Sequence, residues 1–329
     1  MTVFHDPAAA PARQVRRAAG VAPRAVGVVT NLKSRRNQAR TGVPRIVSPG
    51  VLEASPTSHA ELSETLAVFA RRRVELLVID GGDGTVRDVL SAAPSVFGGH
   101  MPAIAVVPAG KTNALAIDLG IPDDWSVQRA IEAAAAGNLL MKSPLEVTRL
   151  GAGGGDPVHR GFLLGMAGFV RATTLAQRAH GWGAFNGLAV GLSLGMVVAQ
   201  TLFGGRDNPW QRGEQLRIET ADGDVQERRF YLALASTLER LPLGVAPFGR
   251  PRPGLKLLSV DAPVKNLGAS VVPLLAGSEK AALARRGYRR LDSDWFDVTL
   301  EGEFVLDGET YPGGALRIAT GTPLRFVVP

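Results

Sequence analysis

Short runs of branched apolar residues alternate with segments of helical spacing through the first half of the chain. Runs of the first kind predict buried strands, and segments of the second kind predict amphipathic helices. The predicted strands are Ala25–Thr30, Arg45–Ser48, Val74–Ile79 and Ala103–Val107. The predicted helices are Ser58–Arg72, Thr85–Ala92, Thr112–Leu119 and Trp125–Ala136. This alternation is typical of an α/β domain with a parallel sheet, which binds ligands beyond the C-terminal ends of its strands.

The pattern changes near residues 138–144. Apolar and polar positions then alternate with period two between Gly, Pro and Asp turns, which indicates antiparallel strands. These strands are predicted at 145–150, 159–164, 215–220, 227–235, 255–260, 295–300, 303–306, 316–319 and 324–328. We therefore predict a disordered lead-in at 1–22, an α/β domain at 23–142 and a β-rich, sandwich-like antiparallel domain at 143–329. Whether the last strand returns to the first domain is left open.

The segment Gly181–Gly205 contains no Lys, Arg, Asp or Glu, and glycines recur in it at every fourth position from Gly183 to Gly195. On a helix these glycines form one smooth ridge. Each interior glycine costs about 1 kcal/mol relative to alanine, so close packing against a helix or an acyl chain has to offset the loss. We predict a buried or membrane-facing helical insert at 170–205. A transmembrane span is the minority interpretation, because the glycines and polar residues dilute the hydrophobicity.

The composition is that of a soluble globular protein, with 329 residues of which 45% are hydrophobic and 20% charged. The absence of cysteine excludes disulfides and cysteine-ligated metal sites, and the five histidines have no metal-ligand spacing. The net charge is +7, and arginines cluster in residues 1–50 and again in 285–290. Such clusters suit nucleotide phosphates, nucleic acid or an anionic membrane surface. We expect no nucleic acid partner, because aromatic residues are only 6% of the chain.

The strongest chemical motif is Gly81-Gly82-Asp83-Gly84-Thr85, which directly follows a predicted strand and precedes a predicted helix. A strand, a glycine turn and a helix expose backbone N–H groups at a helix N-terminus, where an anion is stabilised. Glycines let the backbone approach phosphate oxygens closely. A carboxylate at Asp83 repels phosphate unless a metal ion or a hydroxyl group lies between them. The motif therefore predicts a phosphate loop with either a metal ion or a hydroxyl group between Asp83 and the phosphate.

Two weaker motifs add to this prediction. Gly110-Lys111-Thr112-Asn113 leaves a strand and enters a helix, but Ala105 excludes a Walker A loop. Lys111 is a candidate phosphate contact, and Thr112 or Asn113 is a candidate helix cap. Asp307 and Glu309 lie two residues apart, so in an extended segment both carboxylates face the same way. Such a pair is able to share a metal ion, or one member acts as a base toward an alcohol.

The segments GGDGTVRDV, PAGKTNALAIDLGIP and LDGE, taken in this order, resemble the diacylglycerol kinase catalytic family. This family includes bacterial lipid kinases, sphingosine and ceramide kinases and, more distantly, the NAD kinases. The resemblance spans residues 26–328 and implies the fold of that family, with a cleft between two domains. It also implies that ATP and Mg²⁺ bind against the first domain, and that a lipid alcohol enters from the second.

The resemblance assigns roles to individual residues. The nucleotide contacts it implies are Asn31, Ser48, Gly81, Gly82, Gly84, Thr85, Gly110, Lys111, Thr112 and Asn113. It implies that Asp307 and Glu309 are the catalytic acid pair, while Asp88 stands in place of a glutamate. The family's general base lies either in the C-terminal D-G-E or in the glycine-rich loop. We favour Asp307 or Glu309 as the base, with Asp83 organising Mg²⁺ and phosphate as the metal-binding residue.

The chain departs from the family pattern at several positions. Leu32 stands in place of a proline, Lys111 of a threonine and Ala114 of an aspartate. Ala235-Ser236-Thr237 replaces a segment that contains asparagine. Pro253 stands where many bacterial members have an Asp-Gly-Leu metal site, so we predict that this structural Mg²⁺ site is absent. Arg252 is the candidate source of positive charge in its place.

The leading hypothesis is an ATP-dependent lipid kinase that acts on diacylglycerol, ceramide, a sphingoid base or a related lipid. One alternative is a non-catalytic lipid- or nucleotide-binding protein of the same fold. Another is a kinase of a soluble nucleotide such as NAD, which the apolar insert argues against. We expect a cytoplasmic protein that associates peripherally with a membrane surface. The acceptor lipid and the oligomeric state, a homodimer included, stay open.

Overall fold

The computed structural model describes residues 16–17, 22–38, 50–151, 158–180 and 209–329. The first domain contains a seven-stranded sheet. Its strands, in spatial order, are β1 (Arg16–Arg17), β6 (Asn138–Lys142), β16 (Leu324–Val327), β5 (Ala103–Pro108), β4 (Leu76–Gly81), β2 (Val26–Thr30) and β3 (Val51–Ala54). The strands from β16 to β3 are parallel, whereas β6 is antiparallel to both β16 and β1. The predicted parallel α/β domain is therefore confirmed.

Over its described residues, the first domain contains five helices. They are α1 (Arg35–Gln38), α2 (His59–Arg71), α3 (Asp83–Phe97), α4 (Ala114–Leu119) and α5 (Val127–Ala135). Ser58 and Ser126 cap α2 and α5 by accepting a backbone N–H three residues on. All six residues of β4 are buried, as expected of a strand covered on both faces.

Three boundaries in this domain differ from the prediction. Helix α3 begins at Asp83, two residues before the predicted start, because the glycine-rich residues form its first turn. Helix α4 begins at Ala114, since Asn113 adopts a left-handed conformation with φ of 50°. The predicted strand Arg45–Ser48 lies outside the described residues, and β2 lies between β4 and the strand Val51–Ala54.

The second domain is a nine-stranded sheet in which every strand pairing is antiparallel. Its strands are β7 (Leu145–Arg149), β8 (His159–Gly161), β9 (Leu163–Ala167), β10 (Glu214–Thr220), β11 (Val225–Ser236), β12 (Leu255–Asp261), β13 (Tyr288–Ser293), β14 (Trp295–Leu306) and β15 (Glu309–Thr320). The β-rich antiparallel prediction is confirmed. The segments predicted at 295–300 and 303–306 form the single strand β14, with a register shift between Leu300 and Glu303.

The α-helices that the structure describes in the second domain are α6 (Gly168–His180), α7 (Pro209–Arg212), α8 (Leu267–Leu275) and α9 (Ala281–Arg285). Strands β9 and β10 share one position, end to end, between β11 and β14. Ala167 lies opposite Leu232 of β11, and Glu214 lies opposite Phe230. The chain therefore leaves the sheet after β9 and returns to it almost at the same point.

The predicted helical insert at 170–205 falls in this excursion. Helix α6 forms its first part, and the uncharged segment Gly181–Gly205 lies outside the described residues. Among the helices that the structure describes, none is both long enough and apolar enough to span a bilayer.

Two features connect the ends of the chain to its middle. The last strand, β16, returns to the first sheet, where Phe326 pairs with Ile104 of β5. Arg16 and Arg17 pair with Leu139 and Asn138 of β6, so at these two residues the structure differs from the predicted disordered lead-in.

Candidate active site

The site begins at the N-terminus of α3, where β4 ends. Gly82 is the N-cap residue, and no side chain among the described residues caps its first turn. A Cβ on Gly81 would lie 2.6 Å from Cβ of Thr85, so the side chain of Thr85 requires glycine at that position. Asn31 Nδ2 donates to Thr85 Oγ1 at 2.8 Å, which brings the end of β2 to the same turn. The first turn of α3 therefore presents backbone N–H groups beside Asn31.

The second glycine loop packs directly on the first. A Cβ on Gly82 would lie 2.9 Å from Cα of Gly110, and a Cβ on Gly110 would lie 2.6 Å from Cα of Gly82. Asn113 fixes Gly110, because its Oδ1 accepts from the Gly110 N–H at 2.9 Å and its Nδ2 donates to the Gly110 carbonyl at 3.2 Å. Lys111 and Thr112 are exposed at the tip of the loop. The predicted nucleotide loops are thus brought together by backbone contact.

Asp83 points from the first loop toward the second. Its Oδ1 accepts from the backbone N–H of Leu115 at 3.4 Å, at the start of α4. Burial raises the pKa of Asp83, and the backbone hydrogen bonds from Ala114, Leu115 and Asn113 oppose this rise. The carboxylate therefore connects the two loops as well as carrying a charge.

Asp307 comes from the far end of the chain, in the turn between β14 and β15. Its Oδ1 accepts from the N–H of Leu163 at 2.9 Å, and its Oδ2 accepts from that of Phe162 at 3.0 Å. The carboxylate fits because residue 161 is glycine, on which a Cβ would lie 2.6 Å from Oδ2. Burial and, next, the charge of Asp83 raise the pKa of Asp307 to about 7. The structure thus brings Asp83 and Asp307 within electrostatic reach of each other from distant parts of the chain.

Glu309 lies in different surroundings from Asp307. Its side chain is 60% exposed, and its Oε2 lies 4.0 Å from Arg87 Nη2. Of the two predicted acids, Asp307 is thus the one held by backbone N–H groups.

Arg87 was missed by sequence reasoning. It lies on α3, it is only 6% exposed, and its Nη1 reaches the carbonyl oxygens of Leu306 and Asp307. The available signal was a charged residue between two apolar ones, Val86 and Val89, on a helix predicted to be buried.

Ser48 lies outside the described residues, so the structure does not test its predicted nucleotide contact. Over the part of the chain that the structure describes, no three His, Asp or Glu side chains are grouped so as to hold a metal ion.

Two cations hold the turn that contains Pro253. Lys256 Nζ donates to the carbonyls of Arg252 at 3.0 Å and Gly254 at 2.9 Å. Arg252 Nη1 donates to the carbonyls of Phe248 at 2.8 Å and Arg250 at 3.0 Å, and its Nη2 forms an ion pair with Asp292 at 2.6 Å. Lys256 therefore places a second positive charge beside Arg252, the cation predicted for this turn.

Comparison with known proteins places this geometry in context. Residues 25–143 match the model of the diacylglycerol kinase catalytic domain. The resemblance inferred from the three motifs is confirmed.

The protein named "Probable lipid kinase YegS-like" from Citrobacter koseri is 38% identical over 67 residues, which are 20% of this chain and 22% of that protein. "Probable lipid kinase YegS" from Salmonella arizonae is 36% identical over 70 residues, which are 21% of this chain and 23% of that protein. The matches thus span less than a quarter of these relatives.

The likeness in fold extends much further along the chain. A crystal structure of a diacylglycerol kinase from Bacillus anthracis str. Sterne covers 93% of this chain and 97% of its own. The TM-score is 0.61 and the sequence identity is 14%. At this identity the comparison establishes the two-domain fold.

Proposed function

We propose that the chain is an ATP-dependent lipid kinase, which transfers the γ-phosphoryl group of ATP to a lipid hydroxyl group. One observation carries the proposal: the backbone N–H groups of Phe162 and Leu163 hold the Asp307 carboxylate near Asp83 of the first glycine loop, where burial and, next, the charge of Asp83 raise its pKa. A carboxylate with a pKa of about 7 is suited to accept a proton from an alcohol near neutral pH. The names of the relatives support a lipid as the acceptor.

The glycine loops fit a triphosphate. At both Gly82 and Gly110 a Cβ would meet the backbone of the other loop, so only glycine lets the two loops pack side by side. The N-terminus of α3 adds unpaired N–H groups and the positive end of a helix dipole. Lys111, exposed at the loop tip, offers a point charge for a phosphate.

Asp83 fits a divalent cation, since a cation favours the ionised form of a carboxylate whose pKa is raised by burial. Mg²⁺ needs only one or two protein carboxylates when phosphates supply other ligands. When bound, Mg²⁺ supplies positive charge that neutralises the phosphates during transfer.

The chain itself holds the proton acceptor. The N–H groups of Phe162 and Leu163 fix the Asp307 carboxylate, which takes the hydroxyl proton. The lipid oxygen then forms a bond to the γ-phosphorus, and the bond from that phosphorus to the bridging oxygen breaks with ADP as the leaving group. Glu309, beside Asp307 but exposed, is the second acid of the pair.

We further propose that the chain binds peripherally to an anionic membrane surface, as its net charge of +7 favours. The acceptor would then be a diacylglycerol, a ceramide, a sphingoid base or a related lipid.

The test is transfer of labelled phosphate from ATP-Mg²⁺ to a panel of these lipids in mixed micelles, with the product identified by mass. Asp307→Asn and Asp83→Asn should each lower kcat by about a hundredfold or more, because one removes the base and the other a charge at the phosphates. Asp224→Asn, at an exposed turn, is the matched control and should keep full activity. Wild-type turnover in Asp307→Asn would remove that residue's proposed role.

Two results would favour the alternatives. Binding of ATP without turnover across the whole panel would indicate a non-catalytic binding protein. Phosphorylation of NAD in the absence of lipid and detergent would indicate a kinase of a soluble nucleotide.

A further inference from the structure

Arg87 is a buried cation at the junction of the two domains. It lies on α3 four residues after Asp83, so the two residues share one side of the helix. Only 6% of Arg87 is exposed. A buried guanidinium is costly unless it is paired and hydrogen-bonded, so its contacts define its role.

The first set of contacts lies on its own helix. Arg87 Nε and Nη2 both donate to Asp88 Oδ1, at 3.0 and 2.8 Å. Two donors on one carboxylate oxygen fix the plane of the guanidinium. Asp88 therefore sets the direction in which the remaining donors of Arg87 point.

The second set of contacts lies on the other domain. Arg87 Nη1 donates to the carbonyl oxygens of Leu306 at 3.4 Å and Asp307 at 3.5 Å. Its Nη2 lies 4.0 Å from Glu309 Oε2, and the guanidinium carbon lies 6.0 Å from the centre of the Tyr311 ring. One side chain from the first domain thus contacts the turn that carries both predicted acids.

A second contact of α3 holds the segment whose backbone N–H groups bind the Asp307 carboxylate. Ser91 Oγ, one turn further along α3, accepts from the backbone N–H of Arg160 at 2.9 Å. Arg160 lies on β8, which leads directly to Phe162, a donor to the Asp307 carboxylate. Both segments that hold Asp307 are therefore tied to α3.

Resting on the proposed kinase function, we infer that Arg87 is a positioning residue for the phosphoryl transfer. Its guanidinium holds the Asp307-Gly308-Glu309 turn against the helix that begins at the glycine loop. It thereby sets the separation between the proton acceptor and the phosphoryl group.

The charge of Arg87 also affects its surroundings. It lowers the pKa of Asp307, against the larger raising effects of burial and of Asp83. It also lowers the pKa of His159, after burial. The charged and titratable groups around Arg87 are Asp88, Asp307, Glu309, Tyr311 and His159.

The experiment compares Arg87→Met and Arg87→Lys with the wild type in the lipid kinase assay. In Arg87→Met, kcat should fall by about a hundredfold, because the base is displaced, while KM for ATP changes by less than about threefold. The acid limb of kcat/KM should move to higher pH, since the charge that lowers the pKa of Asp307 is gone. Arg87→Lys keeps the positive charge but loses the paired N–H donors of the guanidinium. Its kcat should therefore fall, while the acid limb of its kcat/KM profile stays near the pH of the wild type.

Arg317→Met is the matched control. Arg317 also binds a carboxylate, Asp297, and lies over an aromatic ring, Trp295, but in a pairing of β14 with β15 away from the turn. Its variant should keep kcat and the pH profile of the wild type.

The outcomes separate the two proposals. A wild type that phosphorylates no lipid in the panel contradicts the kinase function itself. If the wild type is active and Arg87→Met folds, two results overturn the positioning role. One is an unchanged kcat in the variant, and the other is a lowered kcat with the acid limb of kcat/KM at the pH of the wild type. If Arg87→Met does not fold, Arg87→Lys decides, and a wild-type kcat in that variant overturns the inference.

Discussion

At the scale of the residue, the properties of Asp307 come from its neighbours and not from its own motif. In the sequence it belongs to a D-G pair, which is common in hairpin turns. In the structure its carboxylate is buried beside Asp83, and two backbone N–H groups offset only part of the effect on its pKa. The sequence therefore indicated the residue, while its pKa depends on burial, on Asp83 and on the N–H groups of Leu163 and Phe162, which all come from outside its own motif.

The pKa of Asp307 predicts a dependence of stability on pH. Its folded value of about 7 is above the unfolded value of about 3.9, so the folded state binds more protons between these values. Stability from this group is present below about pH 4 and is lost as pH rises through about 7. Without ATP and Mg²⁺, Asp307→Asn should therefore gain stability over the wild type on going from pH 5 to pH 8, by about 2–3 kcal/mol.

Urea unfolding of both proteins at the two pH values measures this change. Asp224→Asn, at an exposed turn, should show a constant difference from the wild type. If the relative stability of Asp307→Asn does not rise between pH 5 and pH 8, the carboxylate is not buried as described.

At the scale of the element, the two glycine loops follow from the order of the strands. Strands β4 and β5 are parallel neighbours, with Gly81 opposite Pro108, so the loops after them meet at one edge. The alternation of strands and helices allowed this to be predicted. It did not allow the start of α3 to be predicted, because the glycine-rich residues themselves form the first turn of that helix. Asn113, a predicted candidate cap, is the N-cap residue of α4. Helices α8 and α9 also escaped prediction, since α8 carries no polar stripe that marks a helix.

The contact between the loops predicts the effect of adding one methyl group. In Gly110→Ala the new Cβ would lie 2.6 Å from Cα of Gly82 and 2.8 Å from Asn113 Oδ1, so the loops have to separate. Overpacking of this kind costs about 1–3 kcal/mol, which corresponds to a loss of about ten- to a hundredfold in affinity for ATP-Mg²⁺. Calorimetric titration with a non-hydrolysable ATP analogue and Mg²⁺ measures the affinity. Gly99→Ala, where a Cβ meets open space, is the control, and an unchanged affinity in folded Gly110→Ala would contradict the proposed phosphate site.

At the scale of the whole molecule, the domains meet at a second charged cluster besides the Arg87 contact. Lys142 Nζ on β6 lies 2.9 Å from Asp118 Oδ2 and 3.2 Å from Glu239 Oε1, and Asp118 is fully buried. Asp118 also accepts from the backbone N–H groups of Glu239 and Arg240. The sequence predicted two domains and a cleft from ordered motifs, but not this cluster. Its members come from separate segments with no common spacing, so only the folded chain brings them together.

Lys256 extends this cluster and predicts a pH dependence of opposite sign. It is 2% exposed, and burial, followed by the charges of Lys142 and Arg252, lowers its pKa to about 8. The unfolded value is about 10.4, so the unfolded state binds more protons between about pH 8 and 10.4. Stability contributed by this group therefore rises with pH through that window.

The unfolding free energy of the wild type should increase relative to Lys256→Met between pH 8 and pH 10, by a few kcal/mol at most. Denaturant unfolding across this range measures the difference, and groups common to both proteins cancel from it. Lys265→Met, at an exposed position, serves as the control, and its unfolding free energy should differ from that of the wild type by the same amount at every pH. A flat difference for Lys256→Met would mean that the ammonium group is hydrated and does not hold the turn at residues 252–254 from within the fold.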